Sequence, residues 1–171
     1  MAGHANRGVV RDLTESVDVP HTILDLLGVE PFTIRHGQSL RPYLEGRCPA
    51  KPRDHIFSEY LENEEACVRT EQWKFVQCSG SRARADSYRT DDPTPGRYIR
   101  LYDEKKDPDE LTDLASKHPE VVARLSGLML ARFRATHPDA SSEPKHSSVA
   151  DSIDWYLRPR DATAPPATAA G

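Results

Sequence analysis

Apolar residues recur at helical spacing near the start of this chain of 171 residues. The pattern predicts a helix from Asp18 to Gly28, since an aspartate can cap a helix and a glycine can end one in the left-handed conformation. Pro20 suits the first turn of such a helix. We predict that its apolar face packs in a core. That face consists of Val19, Ile23, Leu26 and Leu27.

A second helical pattern begins at Pro119 and ends at about His137. Its arginines, Arg124, Arg132 and Arg134, lie largely off the apolar stripe, as expected for a helix with one solvent-facing side. We predict that the stripe forms a core seam. Its members are Val121, Val122, Leu125, Leu128, Met129 and Phe133.

Four short runs of β-prone residues lie between the two helices, at 56–60, 66–70, 73–78 and 98–102. The second and third runs predict a hairpin around Glu71 and Gln72, and pairing Thr70 with Trp73 fixes its register. Side-chain alternation then divides the hairpin between a core face and an opposite face. The core face holds Ala66, Val68, Trp73 and Phe75, and the opposite face holds Cys67, Arg69, Lys74, Val76 and Cys78.

The order helix, loop, strand, hairpin, strand, helix predicts an α+β fold, in which a small four-stranded antiparallel sheet packs against the C-terminal helix. Segment 29–53 contains several prolines and glycines and is predicted to be a loop, with room for one turn around Leu40 to Leu44. Residues 138–171 are rich in Ser, Ala, Pro and Thr, which predicts a mostly disordered tail. Within that tail Trp155, Tyr156 and Leu157 either dock on a partner or on the parent domain, or share the disorder, and the pattern leaves these options open.

Charge and composition narrow the possible partners. There are 23 Lys and Arg against 27 Asp and Glu, and a net charge of −4 argues against a nucleic-acid partner. No run approaches the roughly 20 apolar residues of a membrane helix, and no basic stretch with a following apolar segment opens the chain. We therefore expect no membrane partner, no signal peptide, and a cytoplasmic protein if Met1 is the true start.

The cysteines indicate neither a disulfide framework nor a zinc site. Cys48, Cys67 and Cys78 are few and widely spaced, and no C-x-x-C occurs. In the predicted register Cys67 and Cys78 are diagonal neighbours, roughly 7–8 Å apart and too distant for an unstrained bridge.

Recognisable reaction motifs are absent, including the nucleophile elbow, the phosphate-binding loop and the zinc-binding helix. Two charged segments remain. The acidic cluster of Glu62, Glu64 and Glu65 predicts a solvated turn before the hairpin. The stretch 79–96, with Arg82, Arg84 and Arg89, is either a mobile insertion or an arginine loop that binds an anionic substrate or a neighbouring chain.

Segments 17–29, 37–40, 68–75 and 101–110 carry four motifs that together resemble the sulfatases of the alkaline phosphatase superfamily. Segment 17–29 resembles that family's aspartate–proline–threonine helix, and residues 37–40 (Gly-Gln-Ser-Leu) resemble its glycine-x-serine-leucine loop. Residues 68–75 resemble its arginine–threonine, tryptophan–lysine–aromatic hairpin. Residues 101–110 resemble its leucine–tyrosine–aspartate and aspartate–proline–glutamate turn, in which Asp103 or Glu110 is expected to hold backbone amides. The sequence departs from the pattern at His21, Glu104 (usually apolar) and Asp113 (usually asparagine).

The resemblance implies a C-terminal part of a sulfatase. Residues 1–53 would be the end of the large α/β domain with its connecting loop, 54–137 the C-terminal subdomain, and 138–171 the tail. The complete enzyme would hydrolyse sulfate esters with a formylglycine nucleophile and calcium, both held by an N-terminal sulfatase domain that is absent here. We expect no catalytic residue and no metal ligand in this chain. In this family formylglycine is made from the first residue of a cysteine/serine-x-proline-serine-arginine motif. The segment that begins at Cys48 has a proline and an arginine, but at the wrong positions for that motif.

The resemblance also implies partners and candidate contacts. The expected partners are the N-terminal sulfatase domain and, for the complete enzyme, a sulfated small molecule or glycan. Glu59, at a strand end, and Arg69, on the hairpin face opposite the core, are the candidates for substrate binding. Two alternatives stay open: a fragment of a phosphonate or phosphodiester hydrolase of the same superfamily, and a non-catalytic, stand-alone interaction module.

Overall fold

The computed structural model describes residues 8–30, 36–80 and 96–159. The chain divides into two compact units, Met1–Ile56 and Phe57–Gly171. None of the described helices is long and apolar enough to cross a membrane. The arginine-bearing part of the 79–96 stretch, 81–95, lies outside the described residues.

The first unit contains helix α1, Asp18–Leu27, and the short helix α2, Arg41–Leu44. Gly28 ends α1 with φ 66°, which confirms the left-handed end predicted for it. The prediction that Asp18 caps the helix is wrong, because the residue before α1, Val17, occupies the cap position without a side-chain bond. Asp18 is instead the first helical residue, and its carboxylate accepts bonds from the chain before and after the helix.

The polar side of α1 carries the loop 37–41. Asp18 Oδ1 accepts a hydrogen bond from the Gln38 amide at 2.7 Å, and Thr22 Oγ1 accepts one from the Leu40 amide at 2.8 Å. Ser39 Oγ donates to Asp25 Oδ2 at 2.5 Å. The three acceptors are four and three residues apart, so they lie on one side of the helix. This spacing explains why an aspartate–threonine helix and a Gly-Gln-Ser-Leu loop occur together.

Asp18 also forms a buried ion pair with Arg53. Arg53 Nη2 lies 2.5 Å from Asp18 Oδ1, and the two side chains are 12% and 1% exposed. Loss of solvation alone would raise the pKa of Asp18. The Arg53 guanidinium and the backbone amides of Glu15 and Gln38 outweigh that effect and lower the pKa below its ordinary value of 3.8.

Replacing Asp18→Asn is expected to destabilise the first unit by about 2 kcal/mol at neutral pH, because Arg53 loses the nearer of its two buried carboxylate partners and keeps only Glu15, at 3.4 Å. A carboxyl with a lowered native pKa stabilises the protein above its unfolded pKa of about 4, and this contribution is lost as the pH falls through the native value. Urea unfolding at pH 7 and pH 3 should therefore show a smaller difference from wild type at pH 3. The exposed control Asp109→Asn should change neither value, and a pH-independent difference would contradict the ion-pair explanation.

The apolar side of α1 is not covered. Val19, Ile23, Leu26 and Leu27 are 54%, 52%, 50% and 70% exposed. The prediction that this face packs in a core is therefore wrong for the described chain. The loop 37–41 occupies the polar side of the helix, so the apolar stripe faces away from the segment that forms these hydrogen bonds with α1.

The sheet has four strands in the order β1-β2-β3-β4. They span His55–Tyr60, Glu65–Thr70, Trp73–Cys78 and Tyr98–Asp103, and each lies beside the next strand in sequence. Strands β2 and β3 pair antiparallel with Arg69 opposite Lys74 and Cys67 opposite Val76, which confirms the predicted hairpin register. Strand β4 pairs antiparallel with β3.

Helix α3, Pro119–Thr136, contributes to a core on one side of this sheet. Phe75, Val68 and Leu101 from the strands are fully buried, as are Leu125 and Met129 from the helix. The predicted core face and the predicted helix stripe are thus confirmed, with Trp73 packed at the margin of the cluster.

A fourth helix completes the core, contrary to the prediction of a mostly disordered tail. Helix α4 spans Val149–Leu157 and begins with Ser148, whose side chain accepts a bond from the Asp151 amide. Ile153, Tyr156 and Leu157 are fully buried. The composition of 138–171 obscured a short segment whose apolar residues recur at helical spacing. These residues pack in the core of this chain itself, which none of the options kept for them describes. Residues 160–171 lie outside the described residues.

Polar contacts hold α4 against the sheet and α3. The buried Gln77 side chain donates to the Ala150 carbonyl at 2.8 Å and to Asp154 Oδ1 at 2.6 Å. Arg97 Nε pairs with Asp154 Oδ2 at 2.9 Å. Glu143, just before α4, accepts two bonds from Arg134, at 2.7 and 2.9 Å. Tyr156 donates its hydroxyl to the same Glu143 carboxylate at 3.0 Å, so α4 is fixed by buried surface and by directional bonds.

Candidate functional site

The side of the sheet opposite α3 is the first candidate surface, because alternation turns the basic hairpin residues away from the core. We call it the hairpin face. It carries two ion pairs and one buried ring, formed by Arg69, Lys74, Tyr102, Glu104 and Glu110.

Arg69 is half-exposed and paired. Its Nη2 lies 2.6 Å from Glu104 Oε2; the Arg69 side chain is 48% exposed and that of Glu104 is 8% exposed. Glu104 Oε1 is buried and has no hydrogen-bond partner in the described part of the chain. Glu104, which departs from the family pattern, thus neutralises part of the charge of the Arg69 guanidinium. The exposed part of the Arg69 side chain can still donate further hydrogen bonds.

Lys74 fixes the turn that follows β4. Its Nζ lies 2.6 and 2.7 Å from the two carboxylate oxygens of Glu110, whose backbone has φ 55°. A non-glycine residue in the left-handed region carries strain, so the ion pair holds an otherwise unfavourable backbone in place. Glu110 therefore accepts bonds from a side chain, whereas the resemblance had suggested backbone amides for it or for Asp103.

Asp103 does hold backbone amides. Its Oδ1 accepts bonds from Lys105 and Lys106 at 3.1 and 3.2 Å, and its Oδ2 accepts one from the Gln72 side chain at 3.2 Å. Loss of solvation opposes ionisation, but these donors outweigh it and lower the pKa of Asp103. Asp113 serves in the same way, with Oδ1 3.0 Å from the Leu101 amide. The spacing of the aspartates thus sets the shape of the turn.

Replacing Lys74→Met is expected to cost about 1 kcal/mol of unfolding free energy, since a partly buried pair and the anchor of a strained residue are lost together. Urea unfolding measures the loss. Lys105→Met is the matched control, because the Lys105–Glu71 pair is much more exposed and should contribute less than about 0.5 kcal/mol. Equal losses for the two variants would contradict the role assigned to Lys74.

Glu59 lies on the other side of the sheet. It contributes to a cleft with Phe133 and Thr136 of α3 and with His137, which follows that helix. Removal of water by the surrounding protein raises the pKa of Glu59, and the positive charge of Arg132 opposes that rise only in part. The two sequence candidates, Glu59 and Arg69, therefore face opposite sides of one sheet and do not form one site.

The acidic turn before the hairpin is not the solvated turn that its sequence predicts. Glu64 is fully buried with φ 55°, and its carboxylate accepts a hydrogen bond from Ser79 Oγ. Its neighbour Glu65 accepts one from the hydroxyl of Tyr98, which together with burial raises the pKa of that phenol. Strand β3 returns beside the turn, a tertiary proximity that an acidic run in the sequence does not reveal.

No group of three or more His, Cys, Asp or Glu side chains in the described residues is arranged to hold a metal ion. Cys48, Cys67 and Cys78 are free thiols, and burial raises the pKa of the latter two. The described side chains thus provide ion pairs and hydrogen-bonding groups, which suit binding and support. The residues that sequence reasoning missed are Gln77, Glu143 and Asp154; a buried glutamine opposite an acidic helix gives no motif to detect.

Comparison with known proteins places these features in a family. The family model described as "N-sulphoglucosamine sulphohydrolase, C-terminal" matches residues 2–134. A Gallus gallus relative named arylsulfatase K is 30% identical over 149 residues, 81% of this chain and 25% of the relative. A Bacteroides thetaiotaomicron relative named Delta 4,5-hexuronate-2-O-sulfatase is 28% identical over 116 residues, covering 67% of this chain and 22% of the relative.

Among solved structures, a phosphonate monoester hydrolase from Silicibacter pomeroyi superposes with a TM-score of 0.59 at 26% identity. The match covers 79% of this chain and 28% of that one. The chain thus spans about a quarter of the length of the proteins it matches. Since the family model covers most of the chain and includes α1, the hairpin and the turn, the chain belongs to the C-terminal N-sulphoglucosamine sulphohydrolase family and forms a sulfatase C-terminal domain.

Proposed function

We propose that this chain is the supporting C-terminal part of a sulfatase, and that it acts by packing against a catalytic domain that supplies the nucleophile. The observation that carries the proposal is the exposed apolar stripe of α1, with four large side chains each at least half exposed. A contiguous apolar surface of this kind on a folded unit marks a surface that a partner covers. In this proposal the partner's formylglycine and calcium supply the chemistry of sulfate-ester cleavage.

The polar side of α1 supports the same partner. Asp18, Thr22 and Asp25 are all engaged by the loop 37–41, so the helix is held rigidly with its apolar side outward. A rigid apolar surface loses little conformational entropy when it packs. The relatives extend far beyond the matched region, and this additional length includes enough chain for a catalytic domain.

The substrate proposed for the complete enzyme is a sulfated glycan or a sulfated small molecule. The family description and one relative name sulfate on sugar units, N-sulphoglucosamine and hexuronate. The hairpin face fits such a substrate, because Arg69 is fixed by Glu104 and still half-exposed, so a guanidinium edge is available to sulfate or hydroxyl oxygens. Glu59, on the other side of the sheet, is proposed as a separate contact.

A second candidate function is cleavage of phosphonate monoesters. The superposition on the Silicibacter pomeroyi hydrolase favours it, since its 26% identity to this chain is of the same order as the 28% of the hexuronate sulfatase relative. The two functions share the supporting role of this chain and differ in the chemistry of the partner domain.

Hydrolysis assays test the proposal. The chain alone is expected to release no 4-nitrophenol from 4-nitrophenyl sulfate, and to support release when combined with a sulfatase catalytic domain from the same source that lacks its own C-terminal part. The catalytic domain by itself is the control, and an aryl phosphonate monoester is the competing substrate. Turnover by the chain alone would overturn the proposal, and a preference for the phosphonate would favour the second candidate.

A further inference from the structure

A cleft of about 380 Å³ lies beside Glu59, on the same side of the sheet as α3. Its volume is within the range of small-molecule sites. The lining residues combine apolar groups with a carboxylate, an imidazole and a guanidinium; they are Glu59, Leu61, Phe133, Thr136, His137, Pro138 and Arg158. The cleft is separate from the hairpin face, because α3 and Arg69 lie on opposite sides of the sheet.

The Glu59 side chain makes no hydrogen bond and no ion pair with any described residue. Glu59 is an exposed residue of β1, but the surrounding protein keeps part of the water from its carboxyl. A carboxylate in that situation gains free energy from any group that donates a hydrogen bond to it. The cleft therefore has an acceptor that the described part of the chain leaves without a donor.

Arg132 determines which kind of donor suits Glu59. Its guanidinium lies over the Phe57 ring, 5.3 Å from the ring centroid, and its Nε is buried without a partner in the described residues. Arg132 is close enough to act electrostatically on Glu59 but is not bonded to it. Arg158 also lines the cleft, so two guanidinium groups act against one carboxylate; a cationic ligand is disfavoured, and an uncharged donor such as a hydroxyl group is favoured.

Arg158 offers donors and no acceptor, whereas Glu59 offers acceptors, so one ligand must both donate and accept. Hydroxyl groups of a sugar ring do both. Leu61, which is 43% exposed, and Pro138 provide apolar surface for the C–H face of such a ring. We propose that this cleft binds a neutral sugar ring of the glycan, with hydroxyls that donate to Glu59 and accept from Arg158. The inference rests on the proposed glycan substrate and assigns a second contact to it.

Titration of the full chain with N-acetylglucosamine, followed by ¹H–¹⁵N NMR, tests this inference. Saturable shifts are expected for the amides of Glu59, Leu61, Thr136 and His137, with millimolar affinity, about −4 kcal/mol. Glu59→Ala and Arg158→Ala should each weaken binding about tenfold, as expected for loss of a charge-assisted hydrogen bond. The control Glu71→Ala removes an exposed carboxylate elsewhere and should leave the affinity unchanged.

Inorganic sulfate and glucuronate are the competing probes. Saturation of the same amides by sulfate with no response to N-acetylglucosamine would overturn the inference in favour of an anion site, and the absence of any saturable shift would also overturn it. The spectra of the variants report whether each still folds, and Glu59→Gln replaces Glu59→Ala if the latter does not. The NMR titration measures binding without catalysis, so a negative titration does not affect the result of the hydrolysis assay. A negative hydrolysis assay likewise does not affect the interpretation of the titration.

Discussion

A chain that ends at His137 is expected to lose the cooperative unfolding of its second unit. The deletion removes α4, and with it three fully buried side chains, Ile153, Tyr156 and Leu157. Burial of each contributes about 1.5–3 kcal/mol, so the loss is roughly 4.5–9 kcal/mol, comparable to the whole stability of many domains. The Tyr156 ring also stacks on Phe133 with centroids 5.1 Å apart, so the deletion exposes one side of α3.

The deletion also leaves Gln77 without partners. This side chain is fully buried in the sheet and donates to Ala150 and Asp154 of α4, and without them its amide is exposed to solvent or unpaired. Urea unfolding followed by circular dichroism should show a broad or absent transition for the chain 1–137. The matched control ends at residue 159 and keeps α4; it should unfold like the full chain. A sharp transition of unchanged midpoint for 1–137 would show that α4 does not contribute to the core.

Replacing Ile23→Asp and Leu26→Asp together is expected to abolish packing of α1 against a catalytic domain while leaving the isolated chain folded. Both residues are about half exposed, at 52% and 50%, so they contribute little to the stability of this chain. Burying two carboxylates in an apolar interface, however, costs several kcal/mol unless they are paired. Assembly should weaken at least about a hundredfold, the factor that roughly 2.7 kcal/mol produces.

The isolated chain allows a direct measurement of the same surface. Wild type is expected to bind a hydrophobic dye or to self-associate through the α1 stripe, and the double variant should do neither at an unchanged unfolding midpoint. The control adds two aspartates at exposed positions of α3, Ala123→Asp and Ala131→Asp, and should keep the behaviour of wild type. A monomeric, dye-negative wild type would instead favour the stand-alone interaction module.

Local patterns were sufficient for most of the elements and for the register of the hairpin. The helices α1 and α3, the four strands and the pairing of Thr70 with Trp73 follow from apolar periodicity and from a two-residue turn. The resemblance to the sulfatases depended on motifs whose structural basis is also local, such as the aspartates that hold the turn after β4.

Long-range contacts escaped the same reasoning. Arg69 is separated by 35 positions in sequence from Glu104, and Gln77 by 77 from Asp154, so no local pattern could reveal either pair. Helix α4 was hidden by the composition of its surroundings, although its own nine residues are amphipathic. Side-chain alternation could place Arg69 opposite the core, but only the assembled sheet shows that Glu59 faces the helices.

The sequence by itself thus determined the helices α1 and α3, the four strands, the hairpin register and the family of this protein, because these depend on neighbouring residues and on motifs of a few positions. Only the tertiary structure decided that the apolar side of α1 is left uncovered and that the two candidate contacts lie on opposite sides of a sheet. The physical reason is that the exposure of a side chain and the residues it contacts depend on which distant segments of the chain meet. The periodicity of a helix specifies that one side is apolar, and the rest of the fold determines what covers it.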